Sequence, residues 1–168
     1  IIVDFLATID ENLNDFQSFE DYLSVGKLRT DGYIKALQDN NIAFDENLII
    51  KIEDVDTCEI TISKLLADKV IDAVFAVNEL FAVTILKTAH KMNLIVPKDL
   101  AIIAFTDGII SKYSTPTITT VSQSGIKMGK KAAEILIARL ESEEDDNDEE
   151  IYKTEIIETH LIERESTD

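Results

Sequence analysis

Apolar runs alternate with amphipathic stretches from the start of the chain to residue 105. The runs "IIVDFLATI", "LIIKI", "IDAVFAV" and "LAIIAF" have the length and composition of strands. The last two are nearly continuous in apolar residues, as is typical of strands buried on both faces of a parallel sheet. Amphipathic stretches predict helices over residues 23–38, 57–69 and 79–92, and the polar "DENLNDFQSFEDY" before the first is expected to be a loop or an irregular helix start. This alternation predicts the α/β class, with a mainly parallel sheet flanked by helices.

The rest of the chain has a different pattern. "TPTITTVSQSG" is rich in β-branched residues without a helical period and is expected to be extended, and a long helix is predicted over residues 126–140. Residues 141–150, "ESEEDDNDEE", are expected to form a solvated loop, because the run lacks the glycine and the spacing of a calcium-binding loop. The final segment, "IYKTEIIETHLIERES", alternates enough for one or two strands.

Charge limits the partners of this chain. The 168 residues include 33 acidic and 16 basic side chains, for a formal net charge of -17. Affinity for DNA comes largely from lysines and arginines that neutralise phosphates. The chain taken alone is therefore not expected to bind nucleic acid.

The cysteine, the histidines and the first residues of the sequence argue against a disulfide framework, a metal site, a membrane span and a signal peptide. The single cysteine, Cys58, excludes an internal disulfide framework and is expected to be a buried, inert thiol. Two scattered histidines predict no metal site, and no apolar run approaches the roughly 20 residues of a membrane span. The first residues lack a starting Met and a signal-peptide pattern, so we expect the sequence to be a piece of a longer chain.

Polar side chains follow each predicted strand. In an open parallel α/β sheet, ligands bind beyond the carboxyl ends of the strands, which share one edge. The candidates at that edge are Thr8 and Asp10, residues 53–55, Asn78 and Glu79, and Thr106 and Asp107. Each could instead be a helix cap or turn former, because Asn and Asp favour both positions.

Catalytic motifs are missing from the sequence. It has no GxSxG elbow, no phosphate-binding GxxxxGK[ST], no GxGxxG and no HExxH, and its five glycines are not clustered. No catalytic residue and no cofactor is predicted, so a binding module is favoured over an enzyme.

From residue 71 onward, several landmarks follow one another: "AVNE" before a helix, "VPKDLAIIAFTDG", "TPTITTVSQSG" followed by "MGKKAAEIL", and the terminal "RES". With these landmarks the chain resembles the sensor domain of LacI/GalR-type bacterial transcription regulators. Upstream, "LRTDGYIKAL" resembles the family's R-x-x-G-[FYW]-x-x-A-L helix. Their order and spacing make the resemblance specific.

The resemblance implies a periplasmic-binding-protein-like fold of two α/β lobes with a small effector between them. Residues 1–121 would then belong to the C-terminal lobe, residues 122–159 to a crossover helix and strand of the N-terminal lobe, and residues 160–168 to a tail that returns to the C-terminal lobe. Most of the first lobe is outside this sequence. The apolar side of the helix over residues 126–140 would therefore pack on its own lobe or on another copy of the chain.

The resemblance also implies effector contacts. Arg29 matches the family arginine that reaches ligand oxygens, and Gln123 matches the glutamine at the hinge. Asn78 matches the Asn of the family's "ND", and Glu79 stands where the family usually has the Asp. At the end of the last apolar run, Thr106 stands where the family usually has a ligand-binding Asp, and Asp107 is the second acid. Val55 or a neighbour stands where sugar-binding members often have an aromatic residue. A neutral hydroxyl and an aliphatic side chain make a weaker sugar clamp.

The implied function is that of the effector-sensing part of a cytoplasmic transcription regulator, expected to be a homodimer. It would bind a small polar metabolite, a sugar or a similar compound, and would meet operator DNA only through an N-terminal domain outside this sequence. The alternative is a substrate-binding protein of a sugar transporter, which shares the fold. An α/β enzyme is the least favoured hypothesis.

Overall fold

The computed structural model describes residues 2–5, 16–52, 54–68, 71–141 and 154–168. Within these residues six strands form one sheet. The strands are β1 (Ile2–Phe5), β2 (Ile49–Ile52), β3 (Ala73–Ala76), β4 (Ala101–Phe105), β5 (Thr119–Ser122) and β6 (His160–Ile162). The order across the sheet is β2-β1-β3-β4-β5-β6. β1 to β5 are parallel and β6 is antiparallel to β5, which confirms the predicted mainly parallel α/β class.

Helices connect the parallel strands, as parallel pairing requires. The helices are α1 (Phe16–Asp39), α2 (Val55–Asp68), α3 (Glu79–Lys91), α4 (Ile109–Tyr113) and α5 (Gly125–Glu141), and a 3₁₀ turn spans Glu46–Leu48. α1 begins at Phe16, earlier than the predicted residue 23, so the stretch expected to be a loop or an irregular helix start is helical from residue 16 onward. The short α4 was not predicted, since five residues are too few to display a helical period.

The core lies between the sheet and the helices α2 and α3. Ile102 and Ala104 of β4 are fully buried on this face, with Ile62 of α2 and Ile85 of α3. The opposite face is less covered: Ile103 and Phe105 are only half-buried there, and α1 lies over it. The prediction that this strand is buried on both faces is thus wrong for one face.

The apolar side of α5 is exposed. None of its residues is buried, and Ile126, Leu136 and Leu140 are 91%, 59% and 77% exposed. The possibility that its apolar side packs on its own lobe is therefore wrong. An ion pair of 3.3 Å between Lys131 and Glu155 joins the polar side of α5 to the segment before β6.

The C-terminal tail after β6 is tied to β4 and β5. The Ser166 hydroxyl donates to the Ile102 carbonyl (2.6 Å) and accepts from the Thr119 N–H (2.9 Å), and Ser166 is fully buried. The Glu165 carboxylate accepts from the N–H (2.8 Å) and the hydroxyl (3.0 Å) of Thr117. The tail thus extends the sheet's hydrogen bonding at the start of β5.

Some predictions fall on residues outside those the structure describes. These are the candidates Thr8, Asp10 and Glu53 and most of the acidic run, residues 142–150. Among the described residues, no helix is long and apolar enough to cross a bilayer.

Candidate functional site

The register of the sheet brings the predicted polar residues to one edge. Ala76 of β3 pairs with Ala104 of β4, so Asn78 and Thr106 both stand two residues beyond paired positions. Phe105 pairs with Val121 of β5, and Asp107 and Gln123 each lie two residues beyond this pair. Asn78, Thr106, Asp107 and Gln123 therefore follow three neighbouring strands at their carboxyl ends, where open α/β sheets bind ligands.

Arg29 reaches this edge from α1. Its guanidinium carbon lies 4.5 Å from the centroid of the Phe105 ring, and that ring is 5.3 Å from the ring of Phe75 on β3. A guanidinium over an aromatic face is attracted by the quadrupole of the ring, which stabilises the Arg29 side chain in this position. No carboxylate among the described residues forms an ion pair with Arg29.

Asn78 is the N-cap of α3. Its backbone is extended, and its side-chain oxygen accepts a hydrogen bond of 2.9 Å from the Phe81 N–H. A cap of this kind satisfies one of the N–H groups that the first turn of a helix leaves without a partner. The side-chain Nδ2 is then left to donate at the edge of the sheet.

The Glu79 carboxylate contacts the first turn of α4. Its Oε2 accepts hydrogen bonds from the N–H (3.0 Å) and the hydroxyl (2.9 Å) of Ser111. The N-cap of α4 is Gly108, which offers no capping side chain, so the Glu79 carboxylate serves the first turn of α4 from another helix. A Cβ at Gly108 would overlap this carboxylate, so a larger residue there would require the Glu79 side chain to move.

Thr106 and Gln123 are the least constrained of the predicted residues. Thr106 is exposed and has a φ of 76°, a left-handed conformation that is unfavourable for a β-branched residue. Its N–H donates to the Val121 carbonyl (3.2 Å), which holds the turn against β5. Gln123 is half-buried directly after β5.

Asp107 is held by three side chains. Its Oδ1 pairs with the Arg164 guanidinium and accepts from the Thr120 hydroxyl (3.1 Å), and its Oδ2 pairs with Lys112 at 3.2 Å. Burial raises the pKa of this carboxyl, but the hydrogen bonds from Arg164, Lys112 and Thr120 and the charge of Arg164 outweigh burial, and the net pKa is lowered. Asp107 is thus ionised and committed to internal partners.

Arg164 is a central residue of this edge that the sequence did not single out. Its side chain is 14% exposed, and Nη1 donates to the Ile118 carbonyl (2.7 Å) and the Thr120 hydroxyl (3.0 Å) while Nη2 contacts Asp107. The sequence feature that could have identified Arg164 is the terminal "RES". All three of its side chains form hydrogen bonds with residues 117–120 or with β4. Phe105 was also missed, because it was assigned only to a strand.

Cys58 and the metal-ligating side chains are the other candidates for chemistry among the described residues. Cys58 is buried, as predicted, and burial, with a smaller contribution from the charge of Glu59, raises the pKa of its thiol to about 11. A thiol of this kind is a poor nucleophile at neutral pH. No group of three His, Cys, Asp or Glu side chains suited to a metal occurs in the described part of the chain.

Known proteins share this sequence pattern and fold. A family model described as "Periplasmic binding protein-like domain" matches residues 18–167. The HTH-type transcriptional regulator MalR of Clostridium butyricum is 38% identical over 146 residues, which cover 86% of this chain and 42% of that protein. The chain thus spans about two fifths of the length of the curated relatives it matches.

Two solved structures are also similar. A protein from Sanguibacter keddieii DSM 10542 assigned to the LacI family superposes with a TM-score of 0.76 and 27% identity, over 98% of this chain and 57% of that one. The transcriptional regulator CelR in complex with cellobiose superposes with a TM-score of 0.70 and 26% identity, over 98% of this chain and 46% of that one.

Proposed function

Because the chain belongs to the periplasmic binding protein-like family, in the form found in LacI/GalR regulators, we propose that it senses a small polar effector for a DNA-binding transcription regulator. The effector binds at the carboxyl edge of β3, β4 and β5, beside Arg29. Its binding changes the affinity of the full-length protein for operator DNA. The relatives named as transcription regulators favour this role over that of a transporter's substrate-binding protein.

The observation that supports the effector site most directly is the position of Arg29. Its guanidinium is stacked on Phe105 at the end of β4, half-buried, with no carboxylate partner among the described residues. Ordering a long side chain costs conformational entropy, and a half-buried cation gains from a hydrogen-bonding partner. A ligand that offers oxygen atoms is such a partner.

The organisation of the chain is part of the proposal. Residues 1–121 form most of the C-terminal lobe, residues 122–159 cross to the N-terminal lobe, and residues 160–168 return. The antiparallel β6 and the hydrogen bonds of the tail to β4 and β5 support the return. The exposed apolar side of α5 supports the crossover, because a second lobe would bury it.

We propose that operator binding and dimer formation are properties of the full-length protein. The net charge of -17 makes this chain a poor partner for phosphates, so operator contacts come from another domain. A cytoplasmic homodimer fits a regulator that binds a two-fold symmetric operator.

Substitution of Arg29 tests the effector site. A thermal-shift screen of the full-length protein against sugars, nucleosides and sugar phosphates identifies an effector, and calorimetry then compares the wild type with Arg29→Ala. We expect at least about tenfold weaker binding, the equivalent of one lost charge-assisted hydrogen bond of about 1.5 kcal/mol. Lys35→Ala, an exposed position on the same helix, is the control and should bind normally. Equal affinity of the wild type and Arg29→Ala would contradict the assignment.

A further inference from the structure

We propose that Arg164 is a positioning residue of the effector site, which acts through Asp107 to hold Thr106 in its left-handed backbone conformation at the end of β4. The functional meaning of this inference rests on the proposed effector site, because Thr106 lies at the carboxyl edge of β4. The restraint itself is a property of the folded chain and can be tested without an effector.

Thr106 has a strained backbone. Its φ of 76° lies in the left-handed region, where a branched Cβ crowds the backbone. The other described non-glycine residues with a positive φ are Asn41, Asn93 and Ser124, and none of them is β-branched. A strained conformation persists only where the surrounding structure imposes it. Because the Thr106 side chain is exposed, the restraint has to act through the backbone and its neighbours.

The turn that contains Thr106 is tied to the protein on both sides. The Thr106 N–H donates to the Val121 carbonyl at 3.2 Å. On the other side, the Asp107 carboxylate pairs with Lys112 of α4 at 3.2 Å. Lys112 is 49% exposed, and a surface ion pair of this kind contributes little. The position of Asp107 therefore depends mainly on its more buried partner.

That partner is Arg164, whose side chain is 14% exposed. Nη2 contacts Asp107, and Nη1 donates to the Ile118 carbonyl (2.7 Å) and to the Thr120 hydroxyl (3.0 Å). The backbone of Arg164 is also tied to β5, because its N–H donates to the Thr119 hydroxyl (2.8 Å) and its carbonyl accepts from that hydroxyl (3.1 Å). A planar guanidinium anchored in this way restricts the carboxylate to one position. Rotation of the backbone that would relieve Thr106 would then break the ion pair.

A comparison of two backgrounds of the full-length protein tests the restraint. One background is the wild type, and the other is Arg164→Met, which removes the guanidinium and keeps an unbranched side chain. Thr106→Gly is introduced into each, because glycine adopts a positive φ without steric cost. Asn93→Gly is the matched control, since Asn93 is exposed, has a φ of 60° and follows the far end of α3. The melting temperatures of the six proteins are measured.

We expect Thr106→Gly to raise the melting temperature of the wild type by about 2–4 °C, because it removes the strain. In Arg164→Met the same change should raise it by less than about 1 °C or lower it, because the turn has already relaxed and only the extra freedom of glycine in the unfolded chain remains. Asn93→Gly should shift the melting temperature equally in both backgrounds.

An equal rise from Thr106→Gly in both backgrounds would overturn the proposal, and so would a fall in the wild type. If Arg164→Met does not fold, Asp107→Asn replaces it as the second background, because it breaks the same ion pair from the other side. The rise should then disappear in Asp107→Asn, and an undiminished rise there would count equally against the proposal.

An effector found by the thermal-shift screen gives the functional readout. Calorimetry should show about three- to tenfold weaker binding to Arg164→Met than to the wild type, because the site is less well ordered before binding. Unchanged affinity would overturn the positioning role. The two proposals fail separately: unchanged affinity of Arg29→Ala would contradict the effector site and leave the melting-temperature comparison standing. An equal rise in both backgrounds would contradict the role of Arg164 and leave effector sensing standing.

Discussion

The charge of Asp107 is set by residues that are distant in sequence and close in space. Arg164, 57 residues along the chain, contacts one carboxylate oxygen, and Lys112 pairs with the other. Arg164 also donates to the Ile118 carbonyl and to Thr120, so removal of the carboxylate leaves a cation that is only 14% exposed without its counter-charge. The pair therefore links the end of β4 to the C-terminal tail.

The lowered pKa of Asp107 predicts a pH-dependent contribution to stability. The stabilisation is present above the unfolded-state pKa of about 3.9 and is lost as the pH falls through the lower folded-state pKa. Asp107→Asn should lower the free energy of unfolding by about 1–3 kcal/mol at pH 7, and the difference from the wild type should shrink below about pH 4. Urea denaturation at several pH values measures this.

Glu163→Gln is a matched control for Asp107→Asn. Glu163 is an exposed acid next to Arg164 in the chain, and its replacement should change the free energy of unfolding by less than about 0.5 kcal/mol. A constant difference between the wild type and Asp107→Asn from pH 7 to pH 3 would contradict the assigned pairing.

At the level of secondary structure, α3 and α4 are joined by one side chain. Glu79 in the first turn of α3 accepts from the backbone and side chain of Ser111, the third residue of α4. A helix of five residues gains little from its own hydrogen bonds, because nucleation is costly. The position of α4, and with it the turn after β4, therefore depends on a carboxylate from another helix.

A double-mutant cycle tests this junction. Gly108→Ala should destabilise the protein by about 1–3 kcal/mol, because the added methyl group displaces the Glu79 carboxylate from Ser111. In a Glu79→Ala background the same change should cost at least about 1 kcal/mol less, because the overlapping group is gone. Urea denaturation of the wild type, the two single variants and the double variant gives the coupling free energy between the two positions.

Gly32→Ala serves as the control for this cycle. Gly32 lies on α1 and has no neighbouring atom within 4 Å of an added Cβ, so alanine there should be neutral or stabilising by up to about 1 kcal/mol. Equal costs of Gly108→Ala in both backgrounds would show that Glu79 is not the group that Gly108 accommodates.

At the scale of the whole molecule, the apolar side of α5 is an exposed apolar surface in the described part of the chain. Ile126, Leu136 and Leu140 lie on one side of the helix, and Lys127 and Lys131 lie on the other. Contiguous exposed apolar surface often marks a contact with another surface, so this side of α5 is a candidate contact.

The exposed face predicts self-association of the 168-residue chain in isolation. Sedimentation equilibrium should detect dimers or larger species at micromolar concentrations, and the pair of changes Leu136→Lys and Leu140→Lys should abolish them, because two charges cannot be buried in an apolar contact. Lys127→Gln on the polar side should leave association unchanged. A monomer at all concentrations would contradict the predicted self-association through α5.

Local patterns were enough to predict the class of fold and most elements. The apolar runs became β1 to β4, and the extended "TTVS" became β5, because strand and helix periods are written in consecutive residues. The cap at Asn78 is equally local, since the amide and its partner Phe81 are three residues apart. The start of α1 was missed because its first turns contain polar and aromatic residues without a clear period.

The roles of the site residues depend on how the elements pack. The order of residues along the chain was sufficient to show that acids and amides follow the strands. That Arg29 reaches them was implied only by the family resemblance. It could not show that Glu79 serves Ser111, 32 residues away, or that Asp107 is neutralised by Arg164. The hydrogen bonds and ion pairs of these two carboxylates depend on distances between elements, and no local sequence pattern encodes those distances. The folded arrangement alone therefore separates Arg29, which has no ion-pair partner among the described residues, from the acids already engaged.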